Sequence, residues 1–246
     1  MKTIIVPVDF SDESINGLKM AILFSQKIQV NIQLVYVLQK TGETEKPAIE
    51  AEQRAENNLK EIIREFAPKL QHDSQIEYII RKGRIFQEIV SQAALYPESI
   101  IAASTHGASG FQEFFIGSNT FKIISATAKP VITLRKNGCP DHIGLIILPI
   151  DLSVDSRQKV PFTTELAAFL GASIHVVGIQ TSKGASDIRK IRSYVSQVAG
   201  YVEGKVPCET NEVSGDNVAE MVINYAHTVK ADLISITTEQ SPGISL

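Results

Sequence analysis

Apolar positions along the chain alternate between two rhythms. Residues 3–8 (TIIVPV) are almost continuously apolar, the pattern of a strand covered on both faces. Over 12–28, the apolar residues Ile15, Leu18, Ala21, Ile22 and Phe24 recur at helical spacing. The alternation continues with a strand over 31–37 and a helix over 49–70 that places Leu59, Ile62, Ile63 and Phe66 on one face. It then predicts a strand at 75–81, a helix at 85–95, a strand at 99–103, a helix at 118–128 and a strand at 130–134. The stretch 39–48 (QKTGETEKPA) is polar, contains Gly and Pro, and reads as a mobile loop. Strands alternating with helices, and apolar on both faces, predict a parallel sheet flanked by helices.

The chain then repeats itself. Residues 7–11 (PVDFS) align with 149–153 (PIDLS) at an offset of 142, and 83–90 (GRIFQEIV) align with 215–222 (GDNVAEMV) at an offset of 132. A period of this length is a duplicated domain rather than a solenoid. The second copy predicts strands at 145–149, 173–179, 208–213 and 233–237, with helices near 155–170, 186–202 and 217–229. Nothing in it corresponds to 118–134, so its last helix and last strand are expected to be missing. The breaker-rich run 136–141 (KNGCPD) marks the boundary, giving domains at 1–137 and 143–246.

Composition narrows the class. The chain has 246 residues, and ordinary domains of roughly 100–200 residues leave room for one large or two small ones. A hydrophobic fraction of 43% is enough to build a core, and a net charge of -3 excludes a strongly basic nucleic-acid coat or a polyacidic tail. Up to residue 142 there are 16 basic and 16 acidic side chains; beyond it there are 8 and 11, so the second copy holds the entire net charge. Cys139 and Cys208 form no disulfide framework and no CxxC, which fits a reducing compartment. No apolar run approaches the roughly 18 residues of a membrane span. The start, MKTIIVPVDFS, is broken by Asp9 before a signal peptide could form. These features read as a soluble cytoplasmic protein with no membrane and no nucleic-acid partner.

Two places could hold chemistry. Ligands of open parallel sheets bind beyond the carboxyl ends of the strands, where strand order reverses. Asp9 follows the first strand, and two roles are open to it: accepting hydrogen bonds from ribose hydroxyls, or capping the next helix together with Ser11 and Asp12. The second place is the small-residue loop 104–110 (STHGASG) and the later Gly117-Ser118-Asn119-Thr120. Glycines and a helix N-terminus together can cradle phosphate, although turn formation also explains such glycines. No GK[ST] and no GxGxxG occurs. His72, His142, His175 and His227 share no metal-ligand spacing, His106 is as much a turn residue as a phosphate contact, and no Ser/His/Asp order stands out. The Glu- and Lys-rich stretch 43–60 reads as a solvated helix face.

The opening VPVDFS, followed by Gly107, nine residues, and then Gly117 and Ser118, resembles the universal stress protein family. Nucleotide-binding members of that family carry G-x2-G-x9-G followed by Ser or Thr after the fourth strand. Ser104 stands where the first glycine of that motif would be, and its Cβ points to crowding of a ligand. The resemblance covers both copies. It implies two tandem open parallel-sheet α/β domains of strand order 3-2-1-4-5, flavodoxin- or Rossmann-like, the second lacking its last helix and strand. It further implies that Asp9 binds ribose or adenine and that the backbone of Val8 and Val37 lines the adenine pocket. Gly107, Gly117, Ser118 and Asn119 would hold the phosphates of ATP, with Mg2+ accompanying them. In the second copy Asp151 matches Asp9, but Glu239 and Gln240 fall at the places of His106 and Gly107, so that half is expected not to bind ATP.

The function these features imply is that of an ATP-binding stress-response regulator with one site, in the first domain. Ligand-dependent ordering of the 39–48 and 104–118 loops would alter a surface for an unidentified protein partner. The alternative is a nucleotide-free adaptor of the same fold, its site closed by Ser104. A slow ATPase is the weakest reading, since no general base or arginine finger lies near the cradle. In this family the last strand commonly pairs with its counterpart in a partner domain. Two outcomes are open: the two copies pack as an internal pseudo-dimer through other surfaces and leave the 131–134 edge open, or two chains join those edges as a homodimer, the favoured expectation because an open apolar edge invites pairing.

Overall fold

The computed structural model describes residues 3–39, 45–105, 117–135 and 138–238. They fall into two compact units, 3–139 and 140–238.

In the first unit the elements are β1 (Thr3–Pro7), α1 (Ile15–Ser25), β2 (Asn31–Leu38), α2 (Glu45–Phe66), β3 (Gln75–Lys82), α3 (Ile85–Ala94), β4 (Ser99–Ser104), α4 (Ser118–Ala126) and β5 (Val131–Leu134). The strands form one parallel sheet in the order β3-β2-β1-β4-β5. Right-handed crossovers then place α1 and α2 on one face and α3 and α4 on the other. On the α3–α4 face, Ile5, Val35, Val37, Ile101 and Ala103 of the sheet pack with Ile89, Val90 and Ala93 of α3 and Ile123 of α4. The central β1 is apolar because both its faces are covered: Ile4, Ile5 and Val6 are fully buried.

Helix α1 rests on β4 through Gly17. A Cβ at Gly17 would lie 2.5 Å from the Ala102 carbonyl oxygen and 3.3 Å from Val6 Cγ1. Only glycine lets the helix settle this closely on the strand.

The second unit contains β6 (Leu145–Ile150), α5 (Asp155–Gln158), α6 (Val160–Leu170), β7 (Ser173–Gln180), α7 (Ala185–Val202), β8 (Cys208–Ser214), α8 (Val218–Thr228) and β9 (Leu233–Ile234). Its parallel sheet has the order β8-β7-β6-β9. Strand registers equate the units residue by residue. Ile4 pairs with Ile100 and Ile5 with Ile101, while Ile146 pairs with Leu233 and Ile147 with Ile234. Ala103 is thus matched by Ile236. Ala103 is 3% exposed beneath α4, whereas Ile236 is 66% exposed, because among the described residues nothing takes the part of α4 and β5.

Four boundaries differ from the expected ones. The first helix begins at Ile15, because residues 12–14 form turns organised by Asp9 and Ser11. Helix α2 begins at Glu45, inside the polar stretch expected as loop, since a proline in the first turn forfeits no ladder hydrogen bond. The helix expected over 155–170 is broken at Lys159, and the strand expected over 233–237 stops at Ile234. A strand with a partner on one side only has little to hold it extended.

Candidate functional site

Strands β2, β1 and β4 are neighbours, so their carboxyl ends open onto one crevice at the reversal of strand order. Val8 and Asp9 follow β1, Val37 lies one residue before the end of β2, Ser104 ends β4, and Gly117, Ser118 and Asn119 begin α4. Gly107 lies outside the described residues.

The side chains of Val8 and Val37 belong to the core, so only their main chain can face a ligand. The geometry presents it there. Val8 N–H donates to Val35 O at 3.0 Å. Polar groups two residues apart on a strand point the same way. The amide and carbonyl of Val37 therefore face past the end of β1, toward the place where Asp9 leaves the sheet.

Asp9 sits in a tight loop. Its Oδ1 accepts the Ser11 amide at 3.1 Å and the Ser11 hydroxyl at 2.5 Å, and its own amide donates to Ser14 Oγ at 3.4 Å. Ser11 Oγ in turn accepts the Ser14 amide at 3.2 Å. Asp9 thus orders the helix entry without capping α1 directly, and its side chain remains exposed. Between them, Phe10 has φ 67°, a left-handed conformation costing a side-chain-bearing residue about 1 kcal/mol. Its ring stacks on Tyr36 with centroids 4.5 Å apart, which offsets a strain of that size. Strain held this way is a feature of functional loops. The matching residue in the second unit, Leu152, has no such conformation.

At the other wall, Gly117 caps α4 and donates its N–H to Thr105 O at 2.6 Å. A Cβ on Gly117 would lie 2.9 Å from that same oxygen, so glycine is required by the backbone it touches. The Thr120 hydroxyl donates to Ser104 O at 2.8 Å, tying the helix start to the end of β4. Phe121 N–H is the first to reach an intrahelical carbonyl, Gly117 O, at 3.0 Å. The amides of Ser118, Asn119 and Thr120 precede that ladder, and the side chains of Ser118 and Asn119 are exposed beside them. The chemistry of this set suits an anion: main-chain donors and the positive end of a helix dipole, with small hydroxyl and amide side chains. It fits phosphate oxygens, with Gly117 fixing the position of the helix start and not itself donating.

The second unit repeats the Asp9 loop bond for bond. Asp151 Oδ1 accepts the Ser153 amide at 2.8 Å and hydroxyl at 2.6 Å, and the Asp151 amide donates to Ser156 Oγ at 3.3 Å. Burial raises the Asp151 carboxyl, but hydrogen bonds from Ser153 and Ser156 and the nearby Lys159 charge outweigh it and hold it below the ordinary carboxylate range. What differs is the next turn. The offset of 142 equates Gly17 with Lys159, whose ammonium donates to Pro149 O at 2.8 Å and Ser156 O at 2.7 Å. Burial pushes that lysine down to about 8, with Asp151 opposing. The sequence reading overlooked both Gly17 and Lys159, although the alignment of the two copies already paired them. Glu239 and Gln240 lie outside the described residues.

A five-stranded parallel sheet wound this way, with a carboxylate loop after β1 and a helix N-terminus after β4, belongs to the doubly wound α/β class. The family profile for the universal stress proteins matches residues 1–135, and the chain belongs to that family. Among solved structures, a universal stress protein from Archaeoglobus fulgidus DSM 4304 is similar, with 18% identity over 94% of this chain and 85% of that one, at a TM-score of 0.71. A candidate universal stress protein from Pseudomonas aeruginosa UCBPP-PA14 is 15% identical over 100% of this chain and 85% of that one, at a TM-score of 0.67. At these identities the likeness is one of fold, and it extends over both units. No curated protein matches. Among the described residues no helix is long and apolar enough to cross a membrane, and no group of His, Cys, Asp and Glu could hold a metal ion.

Proposed function

We propose that the chain is a nucleotide-binding regulatory member of its family, taking one ATP in the crevice of the first domain, 1–137, beside a degenerate second domain, 143–246. The observation that supports this most is the convergence of two unlike walls on one crevice. One is the Asp9 loop held by a strained Phe10; the other is the α4 N-terminus seated by Gly117. Asp9 would take the ribose or adenine, the main chain of Val8 and Val37 would line the base, and Ser104, Gly107, Gly117, Ser118 and Asn119 would surround the phosphates. Mg2+ would accompany the triphosphate through its phosphate oxygens. Ligand-dependent ordering at the crevice mouth would change a surface read by a protein partner in the cytoplasm. A homodimer would form by pairing of the outer β5 edges, since among the described residues β5 has a neighbour in β4 alone.

Titration calorimetry with ATP tests the central claim. One site per chain is expected, and no heat at millimolar ATP refutes it. The informative variant is Ser118→Glu. An acidic residue in the first turn suits the helix dipole, so α4 is retained, while its charge opposes phosphate. A loss of at least about tenfold in affinity is expected, the equivalent of one repulsion of about 1.4 kcal/mol. One observation favours a second reading: the Gly117 amide is already engaged by Thr105, and Ser104 adds a Cβ at the motif's first position. On that reading the chain is a nucleotide-free adaptor, and wild type and Ser118→Glu give equally flat titrations.

A further inference from the structure

The second unit contains a cation of its own where its ligand crevice should be. Ser235 N–H donates to Ile147 O at 2.8 Å, so the Ile147 carbonyl points toward the β9 side of β6. The Pro149 carbonyl, two residues further along, points the same way. Strand β9 has ended at Ile234 by that level, and among the described residues no strand amide takes up Pro149 O. Lys159 Nζ takes it instead, at 2.8 Å, and with its second bond to Ser156 O the ammonium is fixed at the reversal of strand order in the second sheet. That is the position at which open parallel sheets receive their ligands. The adjoining carboxylate loop, Asp151-Leu152-Ser153, is built like that of the first unit. The Thr237 hydroxyl, donating to Asp155 O at 3.0 Å, draws the chain after β9 across the same opening.

We propose that Lys159 is an internal plug: its ammonium stands in for a ligand and keeps the second crevice closed, while glycine at the matching position 17 leaves the first crevice open. The helix breaks at Lys159 because Pro161, in the first turn of α6, has no N–H for the Arg157 carbonyl. The plug gives the duplication a consequence. The second unit keeps a ligand-like, ordered loop under all conditions, while the first can alternate between empty and filled. This rests on the proposed function only for the identity of the ligand the crevice once suited, an adenosine-type molecule met by Asp151.

The test is amide chemical-shift mapping of the full chain with adenosine, which needs no phosphate cradle. Wild type is expected to show adenosine-dependent shifts at Asp9, Val37 and neighbouring residues, and none at 151–156 or 235–237. Lys159→Gly is expected to add shifts at 151–156 and 235–237. Lys159→Met, which fills the space without the charge, is expected to add none. If Lys159→Gly keeps its first-unit spectrum and adds no second-unit shifts, the plug is overturned. If wild type shows no first-unit shifts, the proposed function fails, and the comparison of the two variants within the second unit still decides the plug. Should Lys159→Gly fail to fold, acylation of the native wild-type chain with acetic anhydride decides it. Protection of Lys159 by at least about tenfold relative to exposed Lys183 and Lys190, lost in urea, supports the plug, and equal reaction overturns it.

Discussion

Replacing Gly17 by alanine sets two effects of opposite sign against each other. Alanine in a helix is favoured over glycine by about 1 kcal/mol, because glycine loses more backbone freedom on folding. Against this, the new methyl carbon would lie 2.5 Å from the Ala102 carbonyl oxygen and 3.3 Å from Val6 Cγ1. An ordinary contact between carbon and oxygen needs close to an ångström more. Both α1 and β4 would have to yield through backbone, since Ala102 meets the methyl with its carbonyl. Overpacking of this kind costs about 1–3 kcal/mol. A 2.5 Å approach to backbone lies at the severe end of that range, so the clash outweighs the propensity gain and a net loss of up to about 2 kcal/mol is expected from the first unit. Because α1 seats the Asp9 loop, ATP affinity is expected to fall with it. Native-state hydrogen exchange reads the loss where it occurs: the slowest amides of β1 and β4 should exchange faster in Gly17→Ala, while those of β6 and β7 keep their rates. Unchanged or slower exchange in β1 and β4 would refute the close seating of α1.

Three further outcomes follow from particular contacts. The Lys159 ammonium is disfavoured in the fold, its pKa falling from 10.5 to about 8, so the folded chain bears the penalty below about pH 8 and sheds it as pH rises toward 10.5. Wild type should therefore gain about 3 kcal/mol relative to Lys159→Met across that interval, read from urea midpoints at each pH. Asn217 caps α8 by accepting the Glu220 amide at 3.2 Å, so Asn217→Ala should lower the second unit's stability by about 1 kcal/mol in chemical denaturation. Light scattering at tens of micromolar should give twice the chain mass of 26.9 kDa, and Thr133→Pro, which removes an N–H on the outer side of β5, away from β4, should return the monomer.

Much of this molecule was legible in the chain itself. Continuous apolar strands such as TIIVP, alternating with amphipathic helices, determine a parallel sheet covered on both faces, because no other arrangement buries them. The PVDFS and PIDLS repeat determined that the architecture occurs twice, and Gly117-Ser118 marked the start of α4. Short-range pattern could not set where strands stop or which turn bonds form, because those depend on neighbours distant in sequence. Strand β9 ends after two residues since its outer side has no partner among the described residues, although 233–237 read as strand. Gly17 reads as a weak spot in a helix until Ala102, 85 positions away, comes against it. Lys159 reads as a surface charge until the fold aims the carbonyls of Pro149 and Ser156 at one point and leaves a lysine to meet them. Periodicity is a property of adjacent residues and determines which elements form; a crevice, open or plugged, depends on what the ends of separate strands place opposite one another, and only the tertiary structure decides that.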